Sequence, residues 1–129
     1  MGVVLRIICC LFLRDLVVGM VFAYLHNGSR PFGLGSSFRE FVVEKGLSVD
    51  RWVGMVLILV NRTVEAYSVG GRGLITGVFL DEADPGYLGR CDKCFVGEYV
   101  DAVIRIISAV HRLDLKVLVN GVRGFAQYG

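Results

Sequence analysis

Residues 75–84 read ITGVFLDEAD, an apolar run that ends abruptly in acidic side chains. A continuous apolar run of this length is typical of a strand that is buried on both faces, which usually means a parallel sheet. Three more runs share this character: residues 20–25 (MVFAYL), 53–60 (VGMVLILV) and 115–119 (LKVLV). We therefore expect four strands that lie as parallel neighbours.

Helical patterns separate these runs. Three helices are predicted: from Ser36 or Ser37 to about Lys45, over residues 61–68, and over residues 95–113. Gly46 is a stop signal for the first helix, and the pair Gly70–Gly71 closes the second. The alternation of strands and helices predicts βαβ units, whose helices lie outside the sheet.

The composition of the chain excludes several classes of protein. Its 129 residues suffice for one domain with a core, and 54% hydrophobic against 20% charged residues excludes disorder. The net charge is only +2, and the arginines are scattered along the chain. Nucleic acid is therefore not an expected partner, because domains that bind it usually carry a basic face.

The amino-terminal residues 7–13 form an uninterrupted apolar run. A spanning helix needs about 20 apolar residues, and the pair Arg14–Asp15 would lie within the membrane, so we expect no stable membrane span. Arg6 before a short apolar run also fits a signal peptide or anchor, but no small-residue cleavage site follows. A buried helix or strand is the favoured interpretation, and a cytoplasmic location is favoured over a secreted one.

Polar residues stand where the predicted strands end. His26 and Asn27 follow the first strand, Asn61 follows the second, and Asn120 follows the last. The carboxyl edge of a parallel sheet carries the functional site in open α/β sheets and in β/α barrels. The alternative is that these residues serve as ordinary turn and cap residues, and for Asn61 a helix cap is the favoured interpretation.

The acidic cluster after the third strand points more strongly to function. Strand alternation places Phe79 and Asp81 on one face, and Val78 and Leu80 on the other. If Val78 and Leu80 contact the helices, the carboxylate of Asp81 is partly desolvated and aimed at a ligand. We therefore predict that Asp81 is a functional residue that contacts a ligand. The candidate substrate-binding residues are Tyr24, His26, Asn27, Glu82, Asp84 and Asn120.

Two of these acidic residues have a second interpretation. Glu82 points away from Asp81 by strand alternation, which is more typical of a surface or salt-bridge residue. Asp84 precedes Pro85–Gly86 and either starts a turn or reaches into the mouth of the site.

Residues 77–84 (GVFLDEAD), the helix from Tyr99 and residues 117–121 (VLVNG) resemble a β/α-barrel superfamily. This superfamily contains glycoside hydrolase family 114 and the spherulin-four-like cell-surface proteins, and residues 20–24 are similar to an earlier strand of the same barrel. The resemblance implies an amino-sugar polymer as substrate. It also implies that Asp81 takes the place of the catalytic carboxylate, Glu82 that of a common glutamate, and Asn120 that of the asparagine in an Asn-Pro-Gly turn. Here Val122 follows Gly121, and the proline is absent.

The length of the chain sets the expected architecture. A full TIM barrel needs roughly 200–250 residues, so residues 1–129 are predicted to form one α/β domain of about four parallel βα units, a half barrel. Such a half barrel would be a fragment, a truncated product or one half of a homo-oligomer. Glycoside hydrolysis needs a second carboxylate about 5–10 Å from the first, and the resemblance places it on a later strand. The alternative is a non-catalytic sugar-binding or structural α/β protein.

The cysteines support a third hypothesis. Cys91 and Cys94 form a CxxC motif just before the long helix. A CxxC motif at a helix start can lower the pKa of a thiol, or it can supply half of the ligands of a zinc site. Cys9 and Cys10 lie next to each other in an apolar run, which is typical of buried small hydrophobes rather than metal ligands. We therefore expect no metal and no cofactor, with Cys91 and Cys94 on an exposed loop or at the first helical turn.

Overall fold

The computed structural model describes residues 20–28 and 30–120, and the apolar run with Cys9 and Cys10 lies outside them. The strands are β1 (Phe22–Tyr24), β2 (His26–Asn27), β3 (Arg30–Pro31), β4 (Ser68–Val69), β5 (Arg72–Gly73), β6 (Gly77–Leu80) and β7 (Lys116–Val119). The α-helices are α1 (Leu34–Phe38), α2 (Val49–Ala66) and α3 (Asp92–Arg112). A π-helical segment (Arg39–Glu44) continues α1, and a 3-10 segment (Pro85–Cys91) precedes α3.

Three strands form the central sheet. They are parallel and lie in the order β1-β6-β7. The register pairs Tyr24 with Phe79, and Phe79 with Leu118. The α/β class and three of the four predicted strands are therefore confirmed. Within the described residues the sheet stays open and does not close into a barrel. The strands β2–β3 and β4–β5 form two small antiparallel ribbons beside it.

The predicted strand over residues 53–60 is wrong, because this run lies in the middle of α2. Ser48 caps the helix, and its hydroxyl accepts a hydrogen bond from the backbone N–H of Arg51 over 3.2 Å. Trp52, Val56 and Val60 are buried at four-residue steps, whereas Ile58 is half exposed. A short apolar run does not distinguish a buried strand from a helix, and here the helical spacing of the buried side chains decides.

The short helix predicted over residues 61–68 is also corrected. Its first part belongs to α2, and Gly70–Gly71 form the turn between β4 and β5. Asn61 is therefore an exposed residue inside a helix, neither a strand-end residue nor a cap.

The first predicted helix starts earlier than expected, at Leu34, and neither Ser36 nor Ser37 caps it. Lys45 and then Gly46, which has a φ of 73°, end the helical segment. This places the stop at the glycine that the sequence indicated. The long helix predicted over residues 95–113 is confirmed as α3.

The core lies between the sheet and the helices. Val78 and Leu80 are fully buried, whereas Phe79 between them is half-buried and packs against Tyr24 with ring centroids 4.5 Å apart. The alternation predicted for β6 is therefore present. The ring of Phe38 lies edge-on to those of Trp52 and Tyr99, each with centroids 5.0 Å away.

No helix in the described part of the chain combines the length and the apolar character that crossing a membrane requires.

Candidate functional site

The end of β6 lies beside the end of β7. The backbone N–H of Asn120 donates to the carbonyl of Leu80 over 3.0 Å, which extends the ladder by one residue. The side-chain amide of Asn120 then donates to Oδ1 of Asp81 over 2.8 Å. The structure thus brings together Asp81 and Asn120, which are 39 residues apart in the chain.

Only one of the two carboxylate oxygens of Asp81 accepts hydrogen bonds from the described residues. Its Oδ1 also accepts the backbone N–H of Glu82 over 2.9 Å, and within the described residues no hydrogen bond goes to Oδ2. Asp81 is half-buried and Asn120 is exposed. Oδ2 of Asp81 and the amide oxygen of Asn120 therefore form a pair of acceptors at the open edge of the sheet.

Glu82 is bound to α1 and α3. Its backbone has a φ of 55°, a left-handed conformation that side-chain-bearing residues seldom adopt. Its carbonyl accepts the backbone N–H of Gly35 over 2.9 Å and the hydroxyl of Tyr99 over 3.0 Å, and its carboxylate accepts the hydroxyl of Ser36. Glu82 therefore fixes the turn after β6, and its carboxylate already has a protein partner.

Two glycines allow this close approach. A Cβ on Gly33 would overlap the carboxylate of Glu82, and a Cβ on Gly35 would overlap the Cβ of Tyr87. Gly33 also pairs with Asp81 in a parallel bridge, and the N–H of Leu34 donates to the carbonyl of Asp81 over 2.9 Å. The start of α1 thus lies directly against the strand end that carries the candidate catalytic residue.

Tyr99 holds the other side of the turn. Burial, followed by the negative charges of Glu82 and Asp84, raises the pKa of the Tyr99 phenol above its usual range. The hydroxyl therefore stays protonated and serves as a donor to the carbonyl of Glu82. The sequence places Tyr99 in a predicted helix but does not predict this hydrogen bond, nor the contacts of Gly33, Gly35 and Ser36 with the turn.

Asp84 forms a turn. Its Oδ1 accepts the backbone N–H of Gly86 over 2.7 Å, an arrangement typical of aspartate before a Pro-Gly pair. Of the two interpretations of Asp84 in the sequence, the structure shows the turn contact. Asp84 is half-buried, and its charge contributes to the raised pKa of Tyr99.

The remaining predicted residues lie beside two cavities. Tyr24 and His26 line one of about 300 Å³, together with residues of α2. Asn27 lines another of about 330 Å³, together with Gly33 and Ser36. Neither Asp81 nor Asn120 lines these two cavities of the described region. His26 and Asn27 thus face different spaces, although they are neighbours in β2.

The described residues contain no group of three or more histidine, cysteine, aspartate and glutamate side chains that could hold a metal ion. In the CxxC motif, Cys91 ends the 3-10 segment and Cys94 belongs to the first turn of α3. The backbone at Cys94 therefore has the first-turn position expected from the sequence.

No protein-family model, curated protein or solved structure matches this chain. The resemblance to barrel hydrolases thus stays a prediction from residues 77–84 and 117–121.

Proposed function

We propose that the carboxyl edge of the sheet binds a saccharide that contains unacetylated amino sugars, with Asp81 and Asn120 as its polar anchors. The observation that carries this proposal is the 2.8 Å hydrogen bond between the two side chains. It holds both side chains in place at the end of neighbouring strands, so little side-chain entropy is lost when a ligand binds.

The chemistry of this pair suits an amino sugar. Oδ2 of Asp81 can accept a charge-assisted hydrogen bond from an ammonium group, which is stronger than a bond between neutral groups. The amide oxygen of Asn120 can accept a neighbouring hydroxyl. A negative carboxylate therefore favours an amino sugar over its neutral, acetylated counterpart.

An aromatic surface lies on the same face of the sheet. By strand alternation Asp81 projects from the face that carries Phe79, and Phe79 packs against Tyr24. Both rings are half-buried. Ligand sites commonly combine such apolar rings with a few polar groups that fix orientation, and the apolar C–H face of a sugar ring would suit this surface.

Binding rather than hydrolysis is the function proposed for the described chain. Glycoside hydrolysis needs two carboxylates about 5–10 Å apart, and the carboxylate of Glu82 is already bonded to Ser36. We propose that the three parallel strands are part of a TIM-like barrel. A glycoside hydrolase would then need a second carboxylate from further strands or from a second copy in a homo-oligomer.

A binding experiment with chitosan oligomers tests this function. We expect the unaltered protein to bind unacetylated glucosamine oligomers by calorimetry, and Asp81→Asn to weaken binding at least tenfold while keeping the shape of the side chain. The matched control is Asp101→Asn, which removes one negative charge from an exposed position on α3. Equal binding by the Asp81→Asn variant and the parent would overturn the proposal.

A further inference from the structure

The cavity beside α2 has the composition of a second ligand site. It has a volume of about 300 Å³, and Tyr24, His26, Arg62, Ala66 and Tyr67 are among the residues that line it. We refer to it as the Arg62 cavity. Ligand pockets begin at about 300 Å³, so its size suits a single small ring. It shares Tyr24 with the aromatic surface proposed beside Asp81, but neither Asp81 nor Asn120 lines it.

The Arg62 cavity carries a positive charge that the described residues leave unpaired. The ion pairs found among them are Arg39–Glu44, Lys45–Glu40 and Arg105–Asp50, and Arg62 takes part in none. The imidazole of His26 is a second side chain at this cavity whose nitrogen can donate a hydrogen bond. The hydroxyl of Thr63 is already committed, because it donates to the carbonyl of Leu59 over 2.8 Å.

Two tyrosines, Tyr24 and Tyr67, are among the residues that line the cavity. The ring of Tyr24 packs against that of Phe79, with ring centroids 4.5 Å apart. Tyr67 follows the last turn of α2, and its carbonyl accepts the N–H of Leu74 over 2.7 Å. Tyr24 thus lies in β1, and Tyr67 directly follows α2.

From this combination we propose that the Arg62 cavity binds a six-membered ring that carries a carboxylate, such as a hexuronate. The planar guanidinium of Arg62 pairs with a carboxylate through two parallel hydrogen bonds, while the ring packs against Tyr24 and Tyr67. This site does not depend on the function proposed for Asp81. A negative ligand is also disfavoured at Asp81 by charge, which separates the two sites.

Titration with glucuronate tests the proposal, with binding followed by calorimetry and by NMR. We expect millimolar or tighter binding to the parent protein, and a loss of at least tenfold in Arg62→Gln. The matched control is Arg51→Gln, which removes an exposed arginine roughly 16 Å further along the same helix by the rise of an α-helix. This control variant should bind glucuronate like the parent.

Further titrations separate the contribution of the ligand's carboxylate to binding from that of its ring. Glucose should bind at least tenfold more weakly than glucuronate, because it lacks the carboxylate, and inorganic phosphate should also bind more weakly, because it lacks the ring. Equal binding of glucose, equal binding of phosphate, or unchanged glucuronate binding in Arg62→Gln would each overturn the proposal. Asp81→Asn should leave glucuronate binding unchanged, so failure at one site is distinguishable from failure at the other.

Discussion

The hydroxyl of Tyr99 donates a hydrogen bond to the backbone carbonyl of Glu82 over 3.0 Å. The bond joins α3 to the turn after β6, and the N–H of Gly35 contacts the same carbonyl from α1. Helices on two sides therefore hold the residue that follows Asp81. This arrangement explains how a left-handed glutamate is kept in place next to the candidate site.

Removing the Tyr99 hydroxyl should destabilise the protein without unfolding it. In Tyr99→Phe the carbonyl of Glu82 keeps Gly35 as a partner, so we expect a loss of about 1 kcal/mol in the free energy of unfolding, typical of one hydrogen bond. Urea denaturation measures this loss. The control Tyr87→Phe alters an exposed side chain and should change stability far less; an equal effect of both substitutions would contradict the role given to Tyr99.

Alkaline pH should destabilise the protein through the same residue. The pKa of Tyr99 is raised in the folded state, whereas an unfolded tyrosine titrates at about pH 10. The unfolded chain therefore loses its proton first, and the stabilising contribution is present below about pH 10 and is lost as the pH rises beyond it. Urea denaturation of the parent at increasing pH should show a steeper fall in stability than that of Tyr99→Phe. Parallel pH profiles would exclude this contribution.

A methyl group at residue 35 should disturb the turn. A Cβ on Gly35 would overlap the Cβ of Tyr87 and approach the carbonyl of Glu82 to 2.9 Å, so Gly35→Ala should cost about 1–3 kcal/mol, as overpacking does. The control Gly97→Ala adds a methyl group to an exposed position of α3 with no neighbour within 4 Å. It should stabilise the helix by about 0.5–1 kcal/mol. Thermal unfolding of both variants checks the signs of these two changes in stability. A stabilised Gly35→Ala variant would show that the close approach is not required.

The parallel sheet could be predicted because its strands are short apolar runs that end at polar residues. The run at residues 53–60 looks the same in the sequence, yet it is helical, since Trp52, Val56 and Val60 are buried at helical spacing. The sequence does not show this spacing, because residues 53–60 are apolar almost throughout, and only the structure shows which of them are buried. Packing against the rest of the core, rather than local pattern, selects the helix.

The proximity of Asp81 and Asn120 could be predicted, because the carboxyl ends of neighbouring parallel strands lie at the same edge of the sheet. The contacts of Tyr99 and Glu82 that hold this edge in place could not be predicted. The periodicity of apolar residues indicates that the ring of Tyr99 is buried, but it gives no information on the hydrogen bond of the hydroxyl. The left-handed φ of Glu82 depends on contacts with Gly35 and Ser36, which lie 47 and 46 residues away in the chain, counted from their numbers. The Arg62 cavity could not be predicted from the sequence for a similar reason, because it forms only where α2 packs beside β2.

The most direct test of the binding edge is an NMR titration of the uniformly 15N-labelled protein with a glucosamine oligomer. The backbone amide of Glu82 and the side-chain amide of Asn120 both donate to Oδ1 of Asp81, so both signals report on that carboxylate. We predict that these two signals shift most, with saturation, and that Asp81→Asn abolishes the saturating shifts. Shifts confined to the exposed face of α3 around Gly97, or identical titrations of Asp81→Asn and the parent, would contradict saccharide binding at this edge.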